Sequence, residues 1–293
     1  MKKTRKIRKV FKPIKVTEGA GVHLSRAFGR LTDPTLFDPF LMLDDFRSEK
    51  KEEYIKGFPW HPHRGIETIT YILRGKVEHR DSLGSVGIIS DGCVQWMTAG
   101  SGIIHQEMPL GDEREFMWGF QLWTNLRAED KMIAPRYRDI RPEDIPNIDR
   151  KSGAKIKIIS GEVFGKKGAV QDVLTNPVYL DVTLPPNSAE KIPTKKGDTA
   201  VAYIIGGSVD FNPEGNETSE PTLLGNKNLI LFEVDGEAVS IKTGSEEVRF
   251  LFLSGTPIKE DIAWRGPIVM NTEEELDLAF KEYADGTFVK NKK

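Results

Sequence analysis

Between residues 66 and 123 the apolar side chains come in short bursts, "IETITYILRGKVEH", "SVGIISDG", "CVQWM" and "EFMWGFQLW", separated by Gly, Asp and Ser. Bursts of this length, partly alternating and broken by turn formers, predict short β-strands folded into a sandwich or barrel. The rhythm stops at "DIRPEDIPNIDRKSG", residues 139–153, where two prolines and dense charge predict a linker. It then resumes in "AKIKIISGEVFG", "VYLDVTLPP", "TAVAYIIGGSVDF", "NLILFEVDG" and "VRFLFLSG". Displacing the chain by 132 residues lays Gly65, Tyr71, Ile72, Gly75 and Val77 onto Gly197, Tyr203, Ile204, Gly207 and Val209. That self-similarity predicts a duplicated β-domain. The expected architecture is all-β, with two sandwich or barrel domains at 1–138 and 154–293 joined by 139–153. The second is expected to end in the one clear helix, "NTEEELDLAFKEYADG", where Thr272 and Glu275 make a capping box. Leu276, Phe280 and Tyr283 form its apolar stripe, and Gly286 suits the C′ position.

A length of 293 residues is enough to bury two cores without covalent staples. Lysine plus arginine total 42 against 44 acids, so the molecule as a whole offers no electrostatic case for direct nucleic-acid binding. Cys93 is the single cysteine, which excludes an internal disulfide and fits a reducing compartment. No apolar run is long enough to span a membrane. The expectation is a cytoplasmic monomer. The start, "MKKTRKIRKVFKP", places seven Lys or Arg in twelve residues and reads as a solvated tail leading into a first strand; the competing reading is a nuclear address or a patch for anionic surfaces.

Five histidines occur in the chain, and three of them lie in two pairs of chemically suggestive spacing. "FPWHPHRGIETITYILRG" carries His61 and His63; "GSGIIHQEMP" carries His105 and Glu107. In a strand, residues i and i+2 point to the same face, so each pair can aim two donors at one point. Three imidazoles and a carboxylate form a ligand set for a divalent transition metal, and on an octahedral ion they leave two positions open. His23 and His79 read as ordinary structural histidines. Glu67, four residues after His63, competes with Glu107 for the carboxylate position. The alternation Glu67, Ile69, Tyr71, Leu73 predicts an inward-facing carboxylate, assigned to holding a ligand imidazole through its free N–H, with direct ligation as the alternative. Phe46, Phe58, Trp60 and Trp96 are candidates for the wall of a pocket for a flat molecule, with Phe116, Trp118, Phe120 and Trp123 nearby in sequence. No nucleotide-binding fingerprint is present.

The chain resembles the pirin family of the cupin superfamily in "FPWHPHRGIETITYILRG", "QWMTAGSGIIHQEMP", "WGFQLWTNL" and "GPIVMNTEEELDLAFKEY", a likeness running from about Val16 to Phe288. The resemblance implies a bicupin, two β-sandwich domains of which only the first holds a metal. It implies one Fe(II) per chain on His61, His63, His105 and Glu107, with Glu107 also able to act as base. The activities it implies fall into two classes. One is a quercetin 2,3-dioxygenase-type opening of a flavonol-like ring with O2. The other is a redox-responsive regulator that binds a transcription factor or a metabolic enzyme without turnover.

Overall fold

The computed structural model describes residues 3–213 and 223–290. The predicted bursts are strands, and they assemble into two compact units. Each unit is an antiparallel sandwich of a seven-stranded and a four-stranded sheet, a bicupin arrangement.

The first unit comprises residues 14–142 and 258–293. Its larger sheet runs, in spatial order, Arg136–Ile140, Val94–Thr98, Ile66–Arg74, Met117–Asn125, Phe40–Ser48, Val22–Phe28 and Ile14–Glu18. The smaller runs Phe58–His63, Ile103–Pro109, Val77–Asp81 and Val86–Ile89. Ile66–Thr70 are all buried because the central strand is covered on both faces, which is why its sequence reads as a near-continuous apolar run.

The second unit comprises residues 1–13 and 143–257. Its larger sheet opens with Ile7–Phe11, paired to Leu229–Phe232, and closes with Asn147–Asp149. Its core is aliphatic and aromatic throughout, with Ile156, Leu180, Ile192, Val239, Phe250 and Phe252 fully buried.

The chain ends differ from their expected placement. Residues 1–13 build the second unit, and residues 258–293 build the first. Arg5, expected in a solvated tail, is buried, and its guanidinium donates to Thr194 Oγ1 at 2.8 Å, to Asp198 O at 2.6 Å and to Lys195 O. The segment 139–153, expected to be a linker, contributes strand residues to both sheets on either side of it. The physical reason is that strand pairing joins residues more than 200 positions apart, which local periodicity does not register.

The helix forms at Glu273–Ala284 with the expected reciprocal cap between Thr272 and Glu275. It buries Leu276 and Ala279 in a cluster with Ile268, Met270 and Phe288, against which Ile104 of the smaller sheet also packs. Tyr283, expected on the buried stripe, is 39% exposed.

Candidate metal centre

Two adjacent strands of the smaller sheet carry the donors. Phe58–His63 and Ile103–Pro109 pair antiparallel, with His61 directly opposite His105. A register shift between His105 and Glu107 sets Glu107 opposite Phe58. The i, i+2 spacing therefore does what the sequence predicts for the imidazoles. His61 Nε2 lies 3.1 Å from His63 Nε2 and 2.9 Å from His105 Nε2. His61, His63 and His105 are the one such histidine-rich group among the described residues.

The outer nitrogens fix the tautomers. His61 Nδ1 donates to Pro59 O at 2.8 Å, and His63 Nδ1 donates to Pro267 O at 3.0 Å. With the proton on Nδ1, each of these rings turns a bare lone pair inward. Two lone pairs facing each other at 3.1 Å repel unless a cation lies between them. Burial pushes the pKa of all three imidazoles below the ordinary histidine value, well below for His63 and His105, and mutual repulsion among the rings adds to this. The site thus prefers neutral rings, the form that ligates a metal. His105 Nδ1 is buried without a partner.

Glu107 stands outside the histidine group but lines the cavity beside His61 and His63, and it is held from the larger sheet. Thr70 Oγ1 donates to its Oε1 at 3.0 Å, and Gln121 Nε2 donates to its Oε2 at 3.2 Å. Thr70 and Gln121 are themselves cross-strand partners.

Glu67 lies elsewhere. The central strand pairs regularly with Val94–Thr98 from Glu67 to Tyr71, so Thr70 on the metal side puts the odd-numbered Glu67 on the opposite face of the sheet. There it accepts from Thr98 Oγ1 at 2.7 Å and Thr124 Oγ1 at 3.5 Å, and burial raises its pKa. It holds no ligand imidazole. The same parity removes Trp96, the partner of Ile69, from the pocket wall; it is a core residue, 1% exposed.

Phe46, Phe58 and Trp60 do line a cavity of about 530 Å³ that opens on His61, His63 and Glu107. Trp123 and Trp264 complete its aromatic lining. The Trp123 ring stands edge-on to His63 with centroids 5.0 Å apart, and Trp264 packs on Trp123 at 6.0 Å. Trp264 and Pro267 come from the C-terminal segment; Pro267 had no signal in the sequence beyond its place in a family-like motif, and Trp264 lies outside that motif. His79, read as structural, is fully buried behind the centre, with Nε2 3.2 Å from Asp81 Oδ2 and its ring 5.2 Å from that of His105.

Two β-sandwich units, one of which brings three imidazoles together beside a cavity, define a cupin protein with a candidate metal centre in its first unit. Family models for pirin and for the pirin C-terminal cupin domain match residues 21–124 and 179–289. The chain belongs to the pirin family. It is 41% identical to a Pseudomonas aeruginosa protein named "Putative quercetin 2,3-dioxygenase", over 92% of this chain and 93% of the relative. It is 38% identical to human pirin, over 91% and 88%. Among solved structures, a quercetin 2,3-dioxygenase of Acinetobacter baumannii superposes with a TM-score of 0.85 at 30% identity, covering 97% of this chain and 98% of that one.

Proposed function

We propose that the first unit is an iron-dependent dioxygenase that opens the ring of a flavonol-like polyphenol with O2. The observation that carries this reading is the convergence of the Nε2 atoms of His61, His63 and His105 beside an aromatic-walled cavity of about 530 Å³, a size that suits a drug-sized planar ligand. The donor set fits a divalent transition metal, with His61, His63, His105 and Glu107 as the residues that would hold it. Iron is preferred from the family; ligand type alone does not single it out. Bound there, the metal would supply a Lewis-acidic centre with room for a substrate oxygen and for O2.

The protein's own groups have separable tasks. Pro59 O and Pro267 O keep the protons of His61 and His63 on Nδ1, so the inward nitrogens stay bare. Glu107 takes the proton of the flavonol 3-hydroxyl on a carboxylate oxygen, and Thr70 and Gln121 hold that carboxylate in line while it does so. Phe58, Trp60, Trp123 and Trp264 line the cavity and offer aromatic faces to the ring system. In the overall reaction the substrate gains both atoms of O2, and the carbon that bore the 3-hydroxyl leaves as carbon monoxide.

The test is to add quercetin to iron-loaded protein under O2 and follow loss of flavonol absorbance together with carbon monoxide release. Wild type should turn over, and the His105→Ala variant treated identically should not. No carbon monoxide from wild type with metal confirmed present would overturn the dioxygenase reading.

A further inference from the structure

The larger sheet of the metal-bearing unit carries a row of polar residues across four neighbouring strands. Thr70 is the cross-strand partner of Gln121, Gln121 of Asp44, and Asp44 of Arg26. Cross-strand partners project to one face, so the row forms a polar stripe on an otherwise mostly apolar surface. All four residues line the cavity.

The two ends of the stripe have different duties. Thr70 and Gln121 are committed to Glu107, as described above. Asp44 and Arg26 form a nearly enclosed pair, 4% and 12% exposed in their side chains, with Arg26 Nε 2.9 Å from Asp44 Oδ1 and Nη2 2.8 Å from Oδ2. Arg26 Nη1 also meets Glu18 at 3.0 Å. Burial pushes the Asp44 carboxyl up to about 6 against the pull of the Arg26 guanidinium, which leaves it an anion at neutral pH.

Taking two charges out of water costs several kcal/mol per ion, and an apolar pair would close a sheet as well. Both residues of this bidentate pair, however, line the cavity, and the pair has unspent hydrogen-bonding capacity. A guanidinium has five N–H groups, of which these contacts use three, leaving one on each Nη. Each Asp44 oxygen accepts one of these bonds and has a second lone pair. The free set is therefore donor beside acceptor, which matches two adjacent hydroxyls: one donates to Asp44 and its neighbour accepts from Arg26.

Distance selects the size of the ligand. Strands lie about 4.8 Å apart, so Asp44 is one spacing and Arg26 two spacings, roughly 10 Å, from the Gln121 position that holds Glu107. A single benzene ring is too short to engage both ends. A fused bicycle bearing an aryl substituent is long enough.

We propose that Asp44 and Arg26 determine substrate specificity by recognising a vicinal diol on the ring remote from the metal, selecting a catechol-bearing flavonoid skeleton over one without those hydroxyls. The proposal rests on the cavity being the substrate site, as in the dioxygenase reading, but not on turnover occurring there. Charge-assisted hydrogen bonds contribute enough to predict a preference of about 10- to 100-fold.

The experiment is calorimetric titration of metal-loaded protein without O2, comparing quercetin with galangin, which lacks only the two vicinal hydroxyls of the pendant ring. Quercetin should bind wild type at least about tenfold more tightly. Asp44→Asn combined with Arg26→Gln removes both charges together and avoids stranding either one, and it should bring the two affinities within about threefold at unchanged metal content. Equal binding of both flavonols to wild type, a comparison independent of how the variant folds, overturns the proposal. So does a double variant that keeps the preference. Carbon monoxide release without the preference removes this inference alone, whereas the preference without carbon monoxide removes only the dioxygenase reading.

Discussion

Gly65 offers a direct test of how the C-terminal segment supports the histidines. It follows His63 by two residues, has φ +76°, and a Cβ built on it would lie 2.0 Å from Val269 O. Gly65→Ala must therefore displace the backbone of Ile268–Met270. That displacement breaks the bonds from Lys131 Nζ to Gly65 O and Val269 O, at 2.9 and 3.1 Å, and from Val269 N to Arg64 O at 3.1 Å. At about 1 kcal/mol net each, these sum to about 3 kcal/mol. The left-handed backbone adds about 1–2 kcal/mol for any residue with a Cβ. The expected loss is about 4–5 kcal/mol, a large fraction of a typical domain's stability. Gly84 supplies the control, because it has φ +85° and nothing within 4 Å of the built Cβ, so Gly84→Ala should cost only the backbone part. Pro267 moves with the displaced segment and releases His63 Nδ1, which should weaken metal binding by about 10- to 100-fold. Urea unfolding followed by tryptophan fluorescence reads the first effect, and nickel competition against a chelating dye reads the second. The reasoning fails if Gly65→Ala lies within about 1 kcal/mol of Gly84→Ala, or if its nickel affinity matches wild type.

Three further outcomes follow from the same geometry. Glu67→Gln should leave metal affinity within a few-fold of wild type, because Glu67 contacts Thr98 and Thr124 on the far face of the sheet; a drop of tenfold or more in the same dye assay would restore it as a support of the ligands. Burial holds Lys131 near a pKa of about 7 against an ordinary 10.5, so between those values the unfolded chain binds a proton that the folded chain does not. Wild-type stability should gain from this group as pH rises from 7 to 10.5, and Lys131→Met should lose that gain, which urea midpoints at pH 6.5 and 9.5 will show; parallel profiles would contradict it. Elemental analysis of anaerobically purified protein should give one metal per chain, and a value near two would refute the assignment of metal to the first unit alone.

Much of this was legible in the sequence because it is local. Period-two spacing within one strand is enough to pair His61 with His63 and His105 with Glu107, and a cap three residues long is enough to start the helix at Glu273. What escaped has a common cause in pairing between distant strands. The parity of Glu67 and Trp96 could not be assigned to a face, because the strand is buried on both sides and its alternation carries no polar face to orient it. Pro267 acts through its carbonyl, which no residue type advertises. The exchange of chain ends depends on Ile7–Phe11 meeting Leu229–Phe232, and no window along the sequence contains both.

The second unit shows what the shared scaffold requires when the chemistry is taken away. Pro193 pairs with Ala238 where the first unit pairs His61 with His105, and Ile192 and Val239 fill the interior beside them. The strands Ala189–Pro193 and Ala238–Thr243 run in unbroken register, without the shift that sets Glu107 in place. Lys195, which the 132-residue repeat lays where the first unit has His63, is exposed, so its charge does not occupy the position of a metal. A buried basic side chain nevertheless braces the corresponding turn in both units, Lys131 on Gly65 O in one and Arg5 on Lys195 O and Asp198 O in the other. Buried turn carbonyls need donors, and in each unit a long basic side chain adds one to these turns. The histidines, the register shift and the Thr70–Gln121 support of Glu107 are local additions that a sandwich core does not need. Their concentration in one unit separates what the residues do for stability from what they do for a ligand.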